Sequence, residues 1–214
     1  MNSSGSRHPS NKDLALKSLA VSRETIERLE IYEALLLKWQ KIKNLVAPST
    51  LDQIWSRHFA DSAQLVELVP DARKWVDLGS GGGFPGLVVA IQLAGLPGAE
   101  VHLVESDNRK CAFLREVARA LEAPAIVHHM RIEACYAAVG TVDVVSARAL
   151  APLQILLDLS TPFIENGAKC LFLKGQDIDT ELTETTTYSR VKIQLIESKT
   201  DPSGRIVMVN PARH

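Results

Sequence analysis

Trp75-Val76-Asp77-Leu78-Gly79-Ser80-Gly81-Gly82-Gly83-Phe84-Pro85-Gly86 is the stretch whose reading decides the fold. An apolar run closes on Asp77, five glycines fall within eight residues, and the apolar segment from Leu87 to Leu93 follows. That order predicts a strand, a tight turn and a helix. Glycines there allow positive φ and let a ligand approach the main chain closely. The helix start adds unpaired N–H groups and a positive dipole end. A nucleotide-like ligand is the expectation.

The glycines fit two nucleotide patterns. Gly81-x-Gly83-x-x-Gly86 satisfies the dinucleotide fingerprint G-x-G-x-x-G. Asp77-x-Gly79-x-Gly81-x-Gly83 has an acidic residue ahead of alternating glycines, which resembles the first motif of class I S-adenosylmethionine-dependent methyltransferases. A carboxylate suits a cationic sulfonium and repels a pyrophosphate. Asp77 therefore favours the methyl donor, with an NAD(P)-dependent oxidoreductase kept as the alternative.

The chain has 214 residues and a net charge of −1. The first 74 residues carry 11 basic and 9 acidic side chains, the remainder 13 and 16, so an RNA partner would need a local basic patch. No apolar run approaches the roughly 20 residues of a membrane span. The polar start, Met1 to Lys12, has no apolar signal region, and a cytoplasmic monomer is expected. Cys111, Cys135 and Cys170 are scattered, which fits buried thiols better than disulfides or a metal site.

Three regions are expected. Residues 1–21 read as a disordered tail, rich in Ser, Asn and Gly to about residue 12. Residues 22–72 read as a helical extension. Ile26, Leu29, Tyr32, Leu36 and Trp39 recur at helical spacing between Ser22 and Leu45. Ser49-x-x-Asp52 predicts a capping box for a second helix carrying Trp55, Phe59 and Leu65. From residue 73 to 214, strands at 74–78, 100–105, 125–128, 143–146 and 169–174 alternate with helices at 84–93, 109–121 and 152–164, which implies parallel strands with right-handed crossovers. Strands at 191–195 and 205–209, joined by Asp201-Pro202-Ser203-Gly204, read as a terminal antiparallel hairpin.

Ligands of open parallel sheets bind at the carboxyl ends of the strands. Glu105 ends the second strand, where a carboxylate accepts ribose hydroxyls. Arg131-Ile132-Glu133 follows the third, where Ile132 can pack on an adenine and Glu133 address its edge. Arg148 follows the fourth and suits a phosphate, a base face or the methionine carboxylate. Lys174 ends the fifth, where a cation suits RNA phosphate. Two decoys stand beside them. Tyr188-x-x-x-Lys192 matches a short-chain dehydrogenase pair, but the alternation of Val191, Ile193 and Leu195 has strand period. His128-His129 with Cys135 hints at a metal, but adjacent strand residues face opposite sides, so no metal is expected.

The motifs Asp77 to Gly86, Glu105-Ser106, Arg109-Lys110-x-x-Phe113-Leu114, Arg131-Ile132-Glu133, Ser146-Ala147-Arg148-Ala149 and Lys174-Gly175 occur in that order. Upstream lie Trp39, Asn44-Leu45 and Arg57-His58-Phe59-Ala60-Asp61-Ser62. Together they resemble the bacterial 16S ribosomal RNA guanine-N7 methyltransferases, the glucose-inhibited division protein B family, from about Tyr32 to Val209. The resemblance implies a seven-stranded, mostly parallel Rossmann-like sheet and a 16S rRNA partner, free or within the small subunit or an assembly intermediate. It implies S-adenosylmethionine contacts at Gly79, Phe84, Glu105, Ile132, Glu133 and Arg148, beside Asp77 and Gly81 of the loop. Guanine N7 has a free lone pair and loses no proton on methylation. Positioning alone can then lower the barrier substantially, by about 7–11 kcal/mol at most. No acid or base is expected, and His58 and Asp61 are the polar pair to watch. A non-catalytic RNA-binding module on the same fold is the third reading.

Overall fold

The computed structural model describes residues 10–19, 21–184 and 191–212. The chain begins with α1 (Asn11–Ser18), inside the stretch read as a tail. Ser10 and Asp13 form a reciprocal capping box there, and Ala15 is buried. That signal is hidden in a polar run: besides Ala15, Leu16 and Leu19 pack half-buried against the core, and the cap fixes the start. The remainder of the tail, residues 1–9 and 20, lies outside the described residues.

The extension continues with α2 (Arg23–Gln40), capped by Ser22, whose hydroxyl accepts the Thr25 N–H at 3.1 Å. Its buried stripe is Leu29, Tyr32 and Leu36, and each apolar side chain so buried contributes roughly 1.5–3 kcal/mol. The helix stops at Gln40, short of the expected Leu45. The Gln40 amide accepts from the N–H groups of Leu45 and Val46 and donates to the Val46 carbonyl, which folds residues 41–46 into a closed loop. The expected capping box at Ser49 does not form: Pro48–Gln53 is a 3-10 segment led by its proline, followed by a π-helical segment, Ile54–Ala60, and α3 (Asp61–Leu68).

Seven strands follow: β1 (Lys74–Leu78), β2 (Glu100–Glu105), β3 (Ala125–His129), β4 (Val144–Arg148), β5 (Lys169–Lys174), β6 (Val191–Glu197) and β7 (Arg205–Pro211). Their order is β3-β2-β1-β4-β5-β7-β6, with β1 to β5 parallel and β7 antiparallel between β5 and β6. The strand order reverses at β1 between β2 and β4, and a crevice opens at such a point. The connecting helices are α4 (Gly86–Leu93), α5 (Asn108–Ala120), α6 (Cys135–Val139), α7 (Leu153–Ile164) and α8 (Ile178–Glu184). The short α6 and α8 were not foreseen, since five to seven residues hold too little periodicity to register.

Strand alternation divides the core. Trp75, Val101 and Leu103 pack with α2, α3, α4 and α5 on one face. Val76, Leu78, Val104, Val145 and Ala147 pack with α6 and α7 on the other. Asp77, next in period to Trp75, is thereby turned into the first face and buried. All three cysteines are buried free thiols, and burial pushes Cys170 up to about 12 and Cys135 to about 11.

Candidate active site

The glycine loop is held from both faces of the sheet. Ser80 N–H donates to the Val104 carbonyl at 3.0 Å, and the Glu105 carboxylate reaches from β2 to accept the Gly81 N–H at 2.9 Å. Its other oxygen accepts the Asp107 N–H at 2.8 Å. From the extension, the Tyr32 hydroxyl donates to the Gly82 carbonyl at 2.5 Å. Phe84 stacks on Tyr32, with ring centroids 5.3 Å apart, and lies 4.7 Å from the His58 ring. The loop is thus anchored to a helix 50 residues upstream in sequence.

Two of its glycines show opposite surroundings. Gly83, at φ +91°, is walled in: a Cβ there would collide with the Tyr32 hydroxyl and Leu87. Gly81, at φ +54°, is open: a Cβ would meet nothing nearer than the Gly79 carbonyl oxygen at 3.7 Å. The space over Gly81 belongs to a cleft of about 410 Å3, and its walls include Gly79, Glu105, Ile132, Glu133 and Leu150. Lys110 and Arg131 also line it and add positive charge.

Of the predicted cofactor residues, the structure brings together Gly79, Gly81, Glu105, Ile132 and Glu133 around this cleft. Asp77 and Phe84 lie beneath it instead. The Asp77 carboxyl is 1% exposed, accepts the Ser146 hydroxyl at 2.8 Å and lies against the Gly86 backbone. Burial raises it to about 6, against the opposing hydrogen bonds from Ser146, Ser80 and Gly86. Its place is to tie β1, β4 and the start of α4 together. Phe84 is the aromatic plug between loop and extension.

Arg148 lines a neighbouring cavity of about 210 Å3, which meets the cleft at Ala149. Ala149 adopts φ +48°, a left-handed conformation that costs a non-glycine residue roughly 1–2 kcal/mol. Strain of this kind gathers where a site must be held open. Arg57, Asp61, Lys174, Glu181 and Asp201 contribute further charge to the cavity. Lys174, expected as a phosphate receiver at the end of β5, pairs its ammonium with Glu181 at 2.7 Å and donates to the Ala151 carbonyl at 2.9 Å.

His58 and Asp61 serve different partners. The His58 ring contacts the Thr50 hydroxyl at 2.9 Å, and burial together with Arg148 and Arg57 lowers it to about 3. It is a neutral packing residue at working pH. Asp61 Oδ1 accepts from Ser198, Thr200 and Gln64, which fastens α3 to the β6–β7 turn. His128 bonds to His102 at 2.8 Å while His129 contacts the Ser106 carbonyl at 3.1 Å, and among the described residues no group of three or more His, Cys, Asp or Glu side chains is placed to hold a metal ion. Lys192 sits on β6, and Tyr188 lies outside the described residues.

The family model for rRNA small subunit methyltransferase G, GidB, matches residues 25–203. The chain belongs to that family. A relative named ribosomal RNA small subunit methyltransferase G, from Bradyrhizobium sp. strain BTAi1, is 54% identical over 94% of this chain and 90% of its own length. Another of that name, from Methylobacterium radiotolerans, is 53% identical over 91% of this chain and 92% of the relative. Among solved structures, a putative O-methyltransferase from Klebsiella pneumoniae superposes with a TM-score of 0.62 over 94% of this chain and 96% of its own, at 12% identity. An MtNAS mutant in complex with S-adenosylmethionine gives 0.55 over 88% and 76%, at 14% identity. These structures establish the shared fold, the class I methyltransferase sheet. Family membership also sets aside the hydride-transfer reading of the glycine pattern. Across the described residues, no helix is long and apolar enough to cross a membrane.

Proposed function

We propose that this chain transfers a methyl group from S-adenosylmethionine to N7 of a guanosine in small-subunit ribosomal RNA, in the cytoplasm. The observation that carries the reading is the open face of Gly81 between Glu105 and Ile132-Glu133, in a chain of this family. The residues fit the cofactor. Glu105 already accepts one amide per oxygen and keeps lone pairs for ribose hydroxyls. Ile132 offers an apolar wall for an adenine, and Lys110 and Arg131 suit a carboxylate or RNA phosphate. When bound, S-adenosylmethionine supplies a methyl group on a cationic sulfur.

The rest of the chemistry asks for geometry. N7 attacks with its own lone pair, and no side chain has to take a proton. The neutral His58, packed on Phe84 away from the cleft, agrees with that economy. The protein's task is to align nucleophile and methyl at near-attack distance and to exclude water. Transfer of a labelled methyl group to small subunits and to naked 16S rRNA, with the modified atom mapped, tests the reading. Label on N7 of one guanosine is expected. Label on another atom, or none on either RNA, refutes it.

A further inference from the structure

The seam between the extension and α5 carries an exposed surface that the cofactor does not use. Lys38 and the Trp39 indole, at the end of α2, both reach Glu116 of α5, and Lys43 pairs at 2.7 Å with Asp107, the cap of α5. The Gln40 amide closes the chain between them, so residues 41–44 form a fixed loop. An open hollow of about 420 Å3 lies there, lined by Gln40, Lys41, Ile42, Lys43, Asn44 and Lys110. That lining holds three ammonium groups and no carboxylate. Among the described residues, neither Lys41 nor Lys110 has an ion-pair partner. Ile42 stands between two of the lysines in sequence and is 63% exposed, the most of the exposed large apolar side chains among the described residues.

Like charges crowded on a fixed loop repel one another, and a polyanion laid across them relieves that repulsion. A free phosphate would satisfy one or two lysines and leave Ile42 in water. A single RNA strand answers both features, because its phosphates alternate with riboses and bases that offer apolar faces. The exposed Asn44 adds an amide that can address a 2′-hydroxyl or a base edge. Position agrees with chemistry. Lys110 lines this hollow and the donor cleft alike, so a strand held on the loop runs to the mouth of the cleft. The loop also leans on the glycine turn, since a Cβ at Gly82 would stand 2.9 Å from the Leu45 carbonyl oxygen.

We propose that residues 41–44 with Lys110 grip the RNA backbone beside the target nucleotide, phosphates on the lysines and a ribose or base on Ile42. The inference rests on the methyl-transfer reading above and names where its RNA docks. Its test compares wild type with Lys41→Gln/Ile42→Ser. The control is Lys192→Gln, whose lysine is exposed on β6, at the sheet edge opposite the strands under α5. Binding to small ribosomal subunits is measured by filter retention across a salt series, without the methyl donor. The double variant should bind at least about 5-fold more weakly, with the slope of log affinity against log salt flatter by about 0.7–0.9. Its KM for subunits should rise in step, while kcat and S-adenosylmethionine affinity stay within about two-fold of wild type. Lys192→Gln should match the wild type. Ile42→Cys carrying a thiol-directed photocrosslinker, specific because all three native cysteines are buried, should crosslink to rRNA. Wild-type affinity and KM in the double variant overturn the proposal. An equal loss in Lys192→Gln does so too, since the attraction would then belong to the whole surface. Crosslinks to a ribosomal protein in place of rRNA also overturn it. If the wild type transfers no methyl group to the subunits, the methyl-transfer reading falls, and the binding and crosslinking results still decide the loop.

Discussion

Two hollows lie side by side at the carboxyl ends of the strands, and they are made of different material. The cleft over Gly81 is lined largely by backbone, glycine and apolar side chains from consecutive strand ends, with Glu105 as its buried charge. The cavity around Arg148 is lined by charged side chains from α3, the ends of β4 and β5, α8 and the β6–β7 turn. The first can be assembled from one strand-turn-helix unit and its neighbours. The second exists only once distant segments have met. A cofactor common to many enzymes suits the first kind of construction.

The largest expected effect breaks the cleft from below. Gly83→Val places a branched side chain at φ +91° against Tyr32 and Leu87, and should destabilise the protein by more than about 3 kcal/mol in urea denaturation. Gly81→Val, whose Cβ faces open space, should lose cofactor binding at a stability cost nearer 1–2 kcal/mol. Equal destabilisation by the two would erase the distinction between the loop's packed and open sides.

A pH titration probes the support beneath the loop. Folding raises Asp77 from 3.8 to about 6, so its contribution to stability is fully present below pH 3.8 and lost as pH rises through about 6. A shift of that size corresponds to roughly 3 kcal/mol. Comparing urea midpoints of wild type and Asp77→Ala from pH 4 to 7 should show a falling component in the wild type that the variant lacks. Parallel curves would place the Asp77 carboxylate in a solvated environment.

A last effect is at the seam with the extension. Tyr32→Phe removes the hydroxyl that holds the Gly82 carbonyl, a buried bond whose loss should cost about 1–3 kcal/mol and weaken S-adenosylmethionine binding by calorimetry.

The sequence made one hollow far more legible than the other. Five glycines after an apolar run announce a turn, and the strand ends at Glu105 and Ile132-Glu133 follow from βα alternation alone. Asp77 reads as a carboxylate offered at the strand tip, yet two residues after Trp75 it shares that residue's buried face. Phe84 likewise reads as a ligand contact until Tyr32 and His58 close on it. Lys174 reads as a free cation until α8, too short to register, brings Glu181 to it. Arg148 reads as a strand-end cation, but its neighbours come from residues 57, 61, 181 and 201, and no local pattern links them.

The placement of the methyl donor over the open face of Gly81 is most directly tested by titrating S-adenosylmethionine into wild type and Gly81→Val. Loss of binding in a Gly81→Val that remains folded is expected. Wild-type affinity in that variant would contradict the placement.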